Sequence, residues 1–272
     1  MLSNDLALDA KSIDKLATKG LSLESLEKQV DEDINLSLEL WHAQGLQIVK
    51  EHGHFYFATK FIPIKKAEFC IVDIETNGSK IDKHQIIEIA GVKVKNGVIT
   101  QRFESLVRCK EIDQHISAIT GISVDDTKDA PSLKEVLTEF KIFLGDSIFV
   151  AHDVKFDYKF ISLSLQKIGQ EPLLNRSLCS LALAERTVES YRYALSYLNQ
   201  YLNLHPDATH HRAMSDVLTT YKLFILSLKN LGKSIRYVED LIRYSKEASR
   251  LKRVKFDPLK VEEIRDDLLS TS

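Results

Sequence analysis

Cysteine is scarce in this 272-residue chain: Cys70, Cys109 and Cys179 stand far apart and form no CxxC pair. An odd, sparse set excludes a disulfide scaffold and a cysteine-rich zinc site, and it suits a reducing compartment. Long apolar runs are missing as well. None approaches the roughly 18 to 20 residues that cross a bilayer, so no membrane partner is expected. The opening MLSNDLALDAKSIDK has no basic segment followed by an apolar block, so no signal peptide is expected and the cytoplasm is the default. Net charge is also small. At −2 it supplies no overall basic signature, and any affinity for nucleic acid must come from local patches. What remains, 44% hydrophobic and 28% charged residues, is the composition of a globular protein with a proper core. Its length allows one large domain, or one of ordinary size with an appendage.

The most informative stretch is FCIVDIETNG, from Phe69 to Gly78. Phe69, Ile71, Val72 and Ile74 suit a strand buried on both faces. Asp73 and Glu75 interrupt that run two residues apart, so they share a face about 7 Å apart along the strand. Two acids on a core strand are costly unless a cation lies between them, and hard carboxylate oxygens suit Mg²⁺ or Mn²⁺. A solvated pair at a frayed strand end is the bland reading of the same pattern.

Around this strand the chain divides into three. Residues 1–66 predict helices over Leu8–Ala17, from Ser22 onward and over Asn35–Trp41, then a hairpin turning at Gly53. That order of elements resembles a winged-helix module, with a packing arm as the plain reading. Residues 67–231 open with three strands in an antiparallel meander, its second turn at Asn96–Gly97. Helices are expected over DQHISAITGIS, Leu133–Leu144, Val154–Ile168, Leu181–Thr187, Ala194–Leu202 and His211–Leu231, with SIFVAHD a short strand. Residues 232–272 form a helical tail. From Lys233 to Lys255 it carries eight Lys or Arg against three acids, and Ile235, Val238, Leu241, Ile242 and Leu251 are expected on one face of one helix. A docked amphipathic helix and a nucleic-acid or partner contact are both open for it. The fold class is therefore α/β, a mixed sheet flanked by helices.

Three motifs follow one another: IVDIETNG with Asp73 and Glu75, AHDVKFD with His152 and Asp157, and HRAMSD with His211 and Asp216. With HQIIEIAGVKVKNG and ISAITGIS between them, the run resembles the DnaQ-like 3′–5′ exonucleases of the DEDDh type over about residues 67 to 230. The flavour is that of the epsilon-type proofreading exonucleases of bacterial DNA polymerase III. The resemblance implies an RNase H-like sheet and two divalent cations, Mg²⁺ or Mn²⁺, held by Asp73, Glu75, Asp157 and Asp216. It also implies release of 5′-monophosphates from single-stranded or frayed 3′ ends, in proofreading or repair, with a DNA polymerase subunit as a possible partner. Four carboxylates balance two such cations, and without metal at least one of them should hold its proton unusually well.

His211 is the implied general base, with Glu75 beside it among the catalytic residues. Five residues on one helix would set His211 and Asp216 roughly 140° apart, so the histidine belongs on the loop before the helix. His205 and His210 are expected to be bystanders. Thr76, His152 and Phe156 are the candidates for substrate contact, with strand-end hydrogen bonding the plain role of His152 and core packing that of Phe156. Asp153 stands where asparagine is common. Asn77 replaces a more usual threonine, with little consequence expected. Two rival functions stand beside DNA cleavage: trimming of RNA by the same chemistry, and a non-catalytic nucleic-acid adaptor.

Overall fold

The computed structural model describes residues 8–30 and 33–260. The segment before the key strand comprises α1 (Ala10–Ala17), β1 (Leu21–Ser22), α2 (Leu23–Glu27), α3 (Ile34–Ala43), β2 (Ile48–Glu51) and β3 (His54–Phe57). Asp9, Ser22 and Asp33 cap the three helices by accepting backbone N–H groups of their first turns. The strands form an antiparallel sheet in the order β1-β3-β2. Leu16, Leu26, Trp41, Phe55 and Phe57 fill a small core of their own, joined by Leu174 from the main body.

The linker from this unit is pinned at both ends of its course. The N–H of Ile64 donates to the carbonyl of Arg236, and that of Val238 to the carbonyl of Ile62. Beside it Arg176 and Glu239 form a buried ion pair of 2.6 Å, Thr59 donates to the same carboxylate, and the Arg176 guanidinium lies 4.3 Å from the centre of the Phe57 ring.

The main body is a five-stranded sheet of β4 (Glu68–Thr76), β5 (Ile86–Lys95), β6 (Val98–Leu106), β7 (Ile148–Ala151) and β8 (Ser177–Cys179). Its order is β6-β5-β4-β7-β8, with β4, β5 and β6 antiparallel and β7 and β8 parallel to β4. The turn between β5 and β6 puts Asn96 at φ 51° and Gly97 at φ 78°, the left-handed pair that a two-residue hairpin of native twist requires. Between β6 and β7 lie α4 (Gln114–Thr120), α5 (Val124–Thr127) and α6 (Leu133–Leu144); α7 (Val154–Lys167) links β7 to β8. After β8 come α8 (Ser180–Thr187), α9 (Leu195–Leu202), α10 (Ala213–Lys229) and α11 (Val238–Glu247).

Cys70, Val72 and Ile74 on one face of β4 pack with Phe140, Phe160 and Ile161 of α6 and α7. Phe69 and Ile71 on the other pack with Val217 and Phe224 of α10 and with Leu241 of α11. The central strand is thus buried on both sides, as its apolar run requires. The three cysteines are free, and no helix among the described residues is long and apolar enough to cross a membrane.

The tail departs from the single long helix expected over 233–255. Helix α11 covers only Val238–Glu247: the backbone turns extended at Ala248 (φ −63°, ψ 151°), and Arg186 donates to Ala248 O and Lys246 O at 2.7 and 3.0 Å, taking carbonyls that a further turn would use. Val238, Leu241 and Ile242 are buried as expected, but Leu251 lies beyond the helix and is 37% exposed. The tail beyond Lys260 lies outside the described residues.

Candidate active site

Alternation along β4 puts Asp73 and Glu75 on the Phe69–Ile71 face, under the start of α10. The strand ends in a bulge between Glu75 and Thr76, the kind of irregularity that re-aims side chains at a strand terminus. Asp157 and Asp216 are each the fourth residue of a helix, α7 and α10, and each is buried in its first turn. The positive end of a helix favours a carboxylate there. Each helix is entered through a left-handed non-glycine residue, Asp153 at φ 65° and His211 at φ 62°. Asparagine, aspartate and histidine tolerate that conformation best, so Asp153 fits the backbone role of the asparagine it replaces.

Three of the acids, Asp73, Glu75 and Asp157, hold their protons more tightly than usual. Burial pushes the Asp157 carboxyl up to about 8. Burial, then the charges of Asp216 and Glu88, push Glu75 up to about 7. Asp73 is held well above the usual carboxylate range, first by burial and then by Asp157 and Asp216. The pocket without metal therefore retains protons that a bound cation would expel, as the clustering of acids led us to expect. Glu75, His211 and Asp216 each bring a ligand atom within 4.8 Å of the other two. Carboxylate oxygens with an imidazole at their edge suit a hard divalent cation.

His211 stands exposed on the loop before α10, as the five-residue spacing required, and its backbone N–H donates to Asp216 Oδ2 at 3.0 Å. His210 is no bystander. Its Nδ1 lies 3.1 Å from Asp216 Oδ1, and its Nε2 lies 3.2 Å from Asn199 Nδ2. Because Asn199 accepts from the N–H of His205 through Oδ1, its Nδ2 is the donor, which leaves Nε2 of His210 as acceptor and Nδ1–H as donor to Asp216. Asn199 lies one helix away in α9, too remote in sequence for any motif to reveal. His205 turns aside, its Nδ1 3.2 Å from Thr219 Oγ1.

His152 has both ring nitrogens engaged, Nδ1 3.0 Å from Ser180 Oγ and Nε2 2.8 Å from the carbonyl of Tyr193, which fits its strand-end role. Thr76 is half-buried at the bulge. Phe156 is not a core residue: on the outer side of the first turn of α7 it is 39% exposed, with Phe160 5.5 Å away. Asn77 matters more than expected. Its Nδ2 donates to Glu111 O and its Oδ1 accepts from the N–H of Gln85, both at 2.8 Å, tying the end of β4 to two loops.

Glu88 carried no sequence signal beyond its place in the β5 alternation. It pairs directly across from Glu75 and is 1% exposed. Like charges facing each other across strands are destabilising, and this one is neutralised by Arg212 at 2.9 Å. The same carboxylate accepts the N–H of Ala213, the first residue of α10, at 2.8 Å. Glu88 thereby fixes where α10 begins, and with it His211 and Asp216.

A family model described as exonuclease, RNase T, matches residues 70–224. The chain is 37% identical over 174 residues to the PolC-type DNA polymerase III of Staphylococcus haemolyticus, covering 62% of this chain and 12% of that protein. For the Staphylococcus aureus (strain bovine RF122) protein the figures are 35% over 190 residues, 68% and 13%. The chain thus spans about an eighth of the length of these relatives. Among solved structures, Exonuclease X in complex with 5′ overhanging duplex DNA is 25% identical with a TM-score of 0.53, covering 65% of this chain and 99% of that one. Escherichia coli Exonuclease I with a dT13 oligonucleotide has a TM-score of 0.55 at 13% identity over 61% of this chain and 42% of that one, a likeness of fold.

Proposed function

The chain belongs to the RNase T exonuclease family, and on that footing we propose that it hydrolyses DNA from the 3′ end, releasing nucleoside 5′-monophosphates in proofreading or repair beside a DNA polymerase. What carries the reading is the cluster of Asp157 and Asp216, both buried, with Asp73 and Glu75, both half-buried, three of the four holding protons above their ordinary range on rigid elements. Such a cluster weakens a fold unless a cation uses it.

In this reading the four acids hold two divalent cations, Mg²⁺ or Mn²⁺, which when bound supply charge for the attacking and leaving oxygens. His211 takes the proton of the attacking water, whose oxygen becomes bonded to phosphorus as the P–O3′ bond breaks, and the departing O3′ takes a proton from solvent to leave the shortened strand with a 3′-hydroxyl. A side chain exposed on a loop two residues before α10 suits that role, since it must reach the water and release the proton to solvent. His210 holds Asp216 in place, Glu88 holds the start of α10, and Thr76 at the bulge grips the terminal 3′-hydroxyl. The three-part division into 1–66, 67–231 and 232–272 makes the middle part the nuclease. Three free cysteines fit a cytoplasmic setting.

Thermal melting with and without cation tests the ligand set apart from activity. Mg²⁺ or Mn²⁺ should raise the melting temperature of the wild type and do markedly less for Asp73→Ala. Equal shifts in both proteins would remove these acids as ligands.

A further inference from the structure

Just beyond α11 the backbone of residues 248–257 is held in place. The N–H of Leu251 donates to Glu185 O at 2.9 Å and that of Val254 to Ser190 O at 3.3 Å. These bonds hold residues 248–257 as a non-helical strap across the end of α8 and the loop that leads to α9. The strap carries Arg250, Lys252, Arg253 and Lys255, all exposed, and near its end Phe256, a residue 78% exposed. A large aromatic residue so open to water beside four cations contributes little to stability where it stands.

Next to the strap runs a row of tyrosines. Tyr191, Tyr197 and Tyr201 have successive ring centres 6.5 and 6.1 Å apart, and the Tyr197 hydroxyl donates to Asp257 at 2.6 Å. Arg192 lies 5.5 Å from the centre of the Tyr191 ring, and Arg253 lies 5.7 Å from that of Tyr193. The acids on this side are Glu185, Glu189 and Asp257. Glu185 is buried and paired with Arg250 at 3.0 Å and Arg253 at 3.9 Å, and among the described residues Arg192, Lys252 and Lys255 form no ion pair.

This surface leads to the candidate site. An open groove of about 630 Å³ has Arg192, Tyr197, Asn199 and His210 among its lining residues, and His210 lies 3.1 Å from Asp216. Tyr193 passes its carbonyl to His152. Cations on a fixed backbone beside one exposed ring, Phe256, and three half-buried ones, Tyr191, Tyr197 and Tyr201, offer what single-stranded nucleic acid needs: phosphate neutralisation and base stacking without sequence reading.

We infer that the strap and the tyrosine row form a track for single-stranded DNA, gripping the strand upstream of the 3′ end that enters the acid pocket. The inference rests on the nuclease reading for its direction. Its test is separable from that reading.

The full chain is titrated in EDTA with fluorescein-labelled dT20 and dT4, as wild type, as Lys252→Ala/Lys255→Ala/Phe256→Ala, and as Lys252→Arg/Lys255→Arg. The track predicts at least tenfold weaker binding of dT20 by the triple variant, with dT4 little changed and the arginine variant close to wild type. The slope of log K against log salt should fall by about 1.4 in magnitude, roughly 0.7 for each lysine on a single strand. Unchanged dT20 binding overturns the inference, as does an equal loss for dT4 and dT20. Hydrolysis of p-nitrophenyl thymidine 5′-monophosphate with Mn²⁺ reads the acid pocket alone and should be the same in all three proteins. If the wild type fails to cleave it, the nuclease reading falls while the binding comparison still judges the track.

Discussion

Replacing Asp157 by asparagine should destroy activity and stabilise the protein without metal. The carboxyl is 4% exposed, and its folded value of about 8 lies far above its ordinary 3.8. Protonation therefore favours the folded state: this stability is complete below about pH 4 and is lost as pH rises toward 8. At 1.36 kcal/mol per unit, the whole loss at pH 8 has a ceiling of about 5 kcal/mol. Asp73 and Glu75 share the protons of the same pocket, so only part of that sum belongs to Asp157. An asparagine keeps an oxygen to accept from the N–H of Ile74 and cannot ionise. A gain of about 2 kcal/mol at pH 8 follows, or about 4 to 8 °C in melting temperature for a chain of this size. The assay is thermal melting in EDTA from pH 5 to 8, wild type against Asp157→Asn. The two curves should lie closest at pH 5, converging toward pH 4, and should separate as pH rises, with Mn²⁺ closing the gap by stabilising the wild type alone. Parallel curves, or a variant less stable at pH 8, would refute the reasoning.

His211→Ala should lower turnover by roughly 10² to 10⁴ and leave the metal-induced melting shift largely intact, which single-turnover kinetics and melting together check. His210→Ala, which frees Asp216, should instead raise the metal concentration needed for half-maximal activity by roughly 10 to 100-fold, with activity recovering at high Mn²⁺. Glu88→Ala should cost about 2 to 3 kcal/mol in urea unfolding, because it strands the N–H of Ala213 and the charge of Arg212, whereas Glu88→Gln should cost about half as much. A 3′-phosphate on the substrate should slow release of the first nucleotide severalfold, and Thr76→Val should narrow that difference; equal rates on blocked and free ends would remove Thr76 from the 3′ grip.

Much of this was legible because it obeys short-range rules. The β4 run, the Asn96–Gly97 turn and the capped helices follow from side-chain alternation and backbone preference, and the five-residue offset alone placed His211 on a loop. Partnerships across the fold were not legible. Glu88 read as one polar residue in a strand, since its meaning depends on Arg212 and Ala213, more than a hundred residues later. His210 read as a neighbour because Asn199, which sets its tautomer, sits in a different helix. Phe156 fits a helical apolar stripe, yet it lies in the first turn, outside what α7 buries. The tail failed for a related reason: its periodicity continues past Glu247, but the Arg186 side chain takes the carbonyls that further turns would need.

A 5′-labelled single strand of DNA incubated with the protein in Mg²⁺, in Mn²⁺ and in EDTA tests the central claim most directly. The account predicts a ladder that shortens one nucleotide at a time from the 3′ end, with 5′-monophosphates released in either metal and an intact strand in EDTA. Cleavage of a circular single strand, or an undiminished ladder in EDTA, would contradict it.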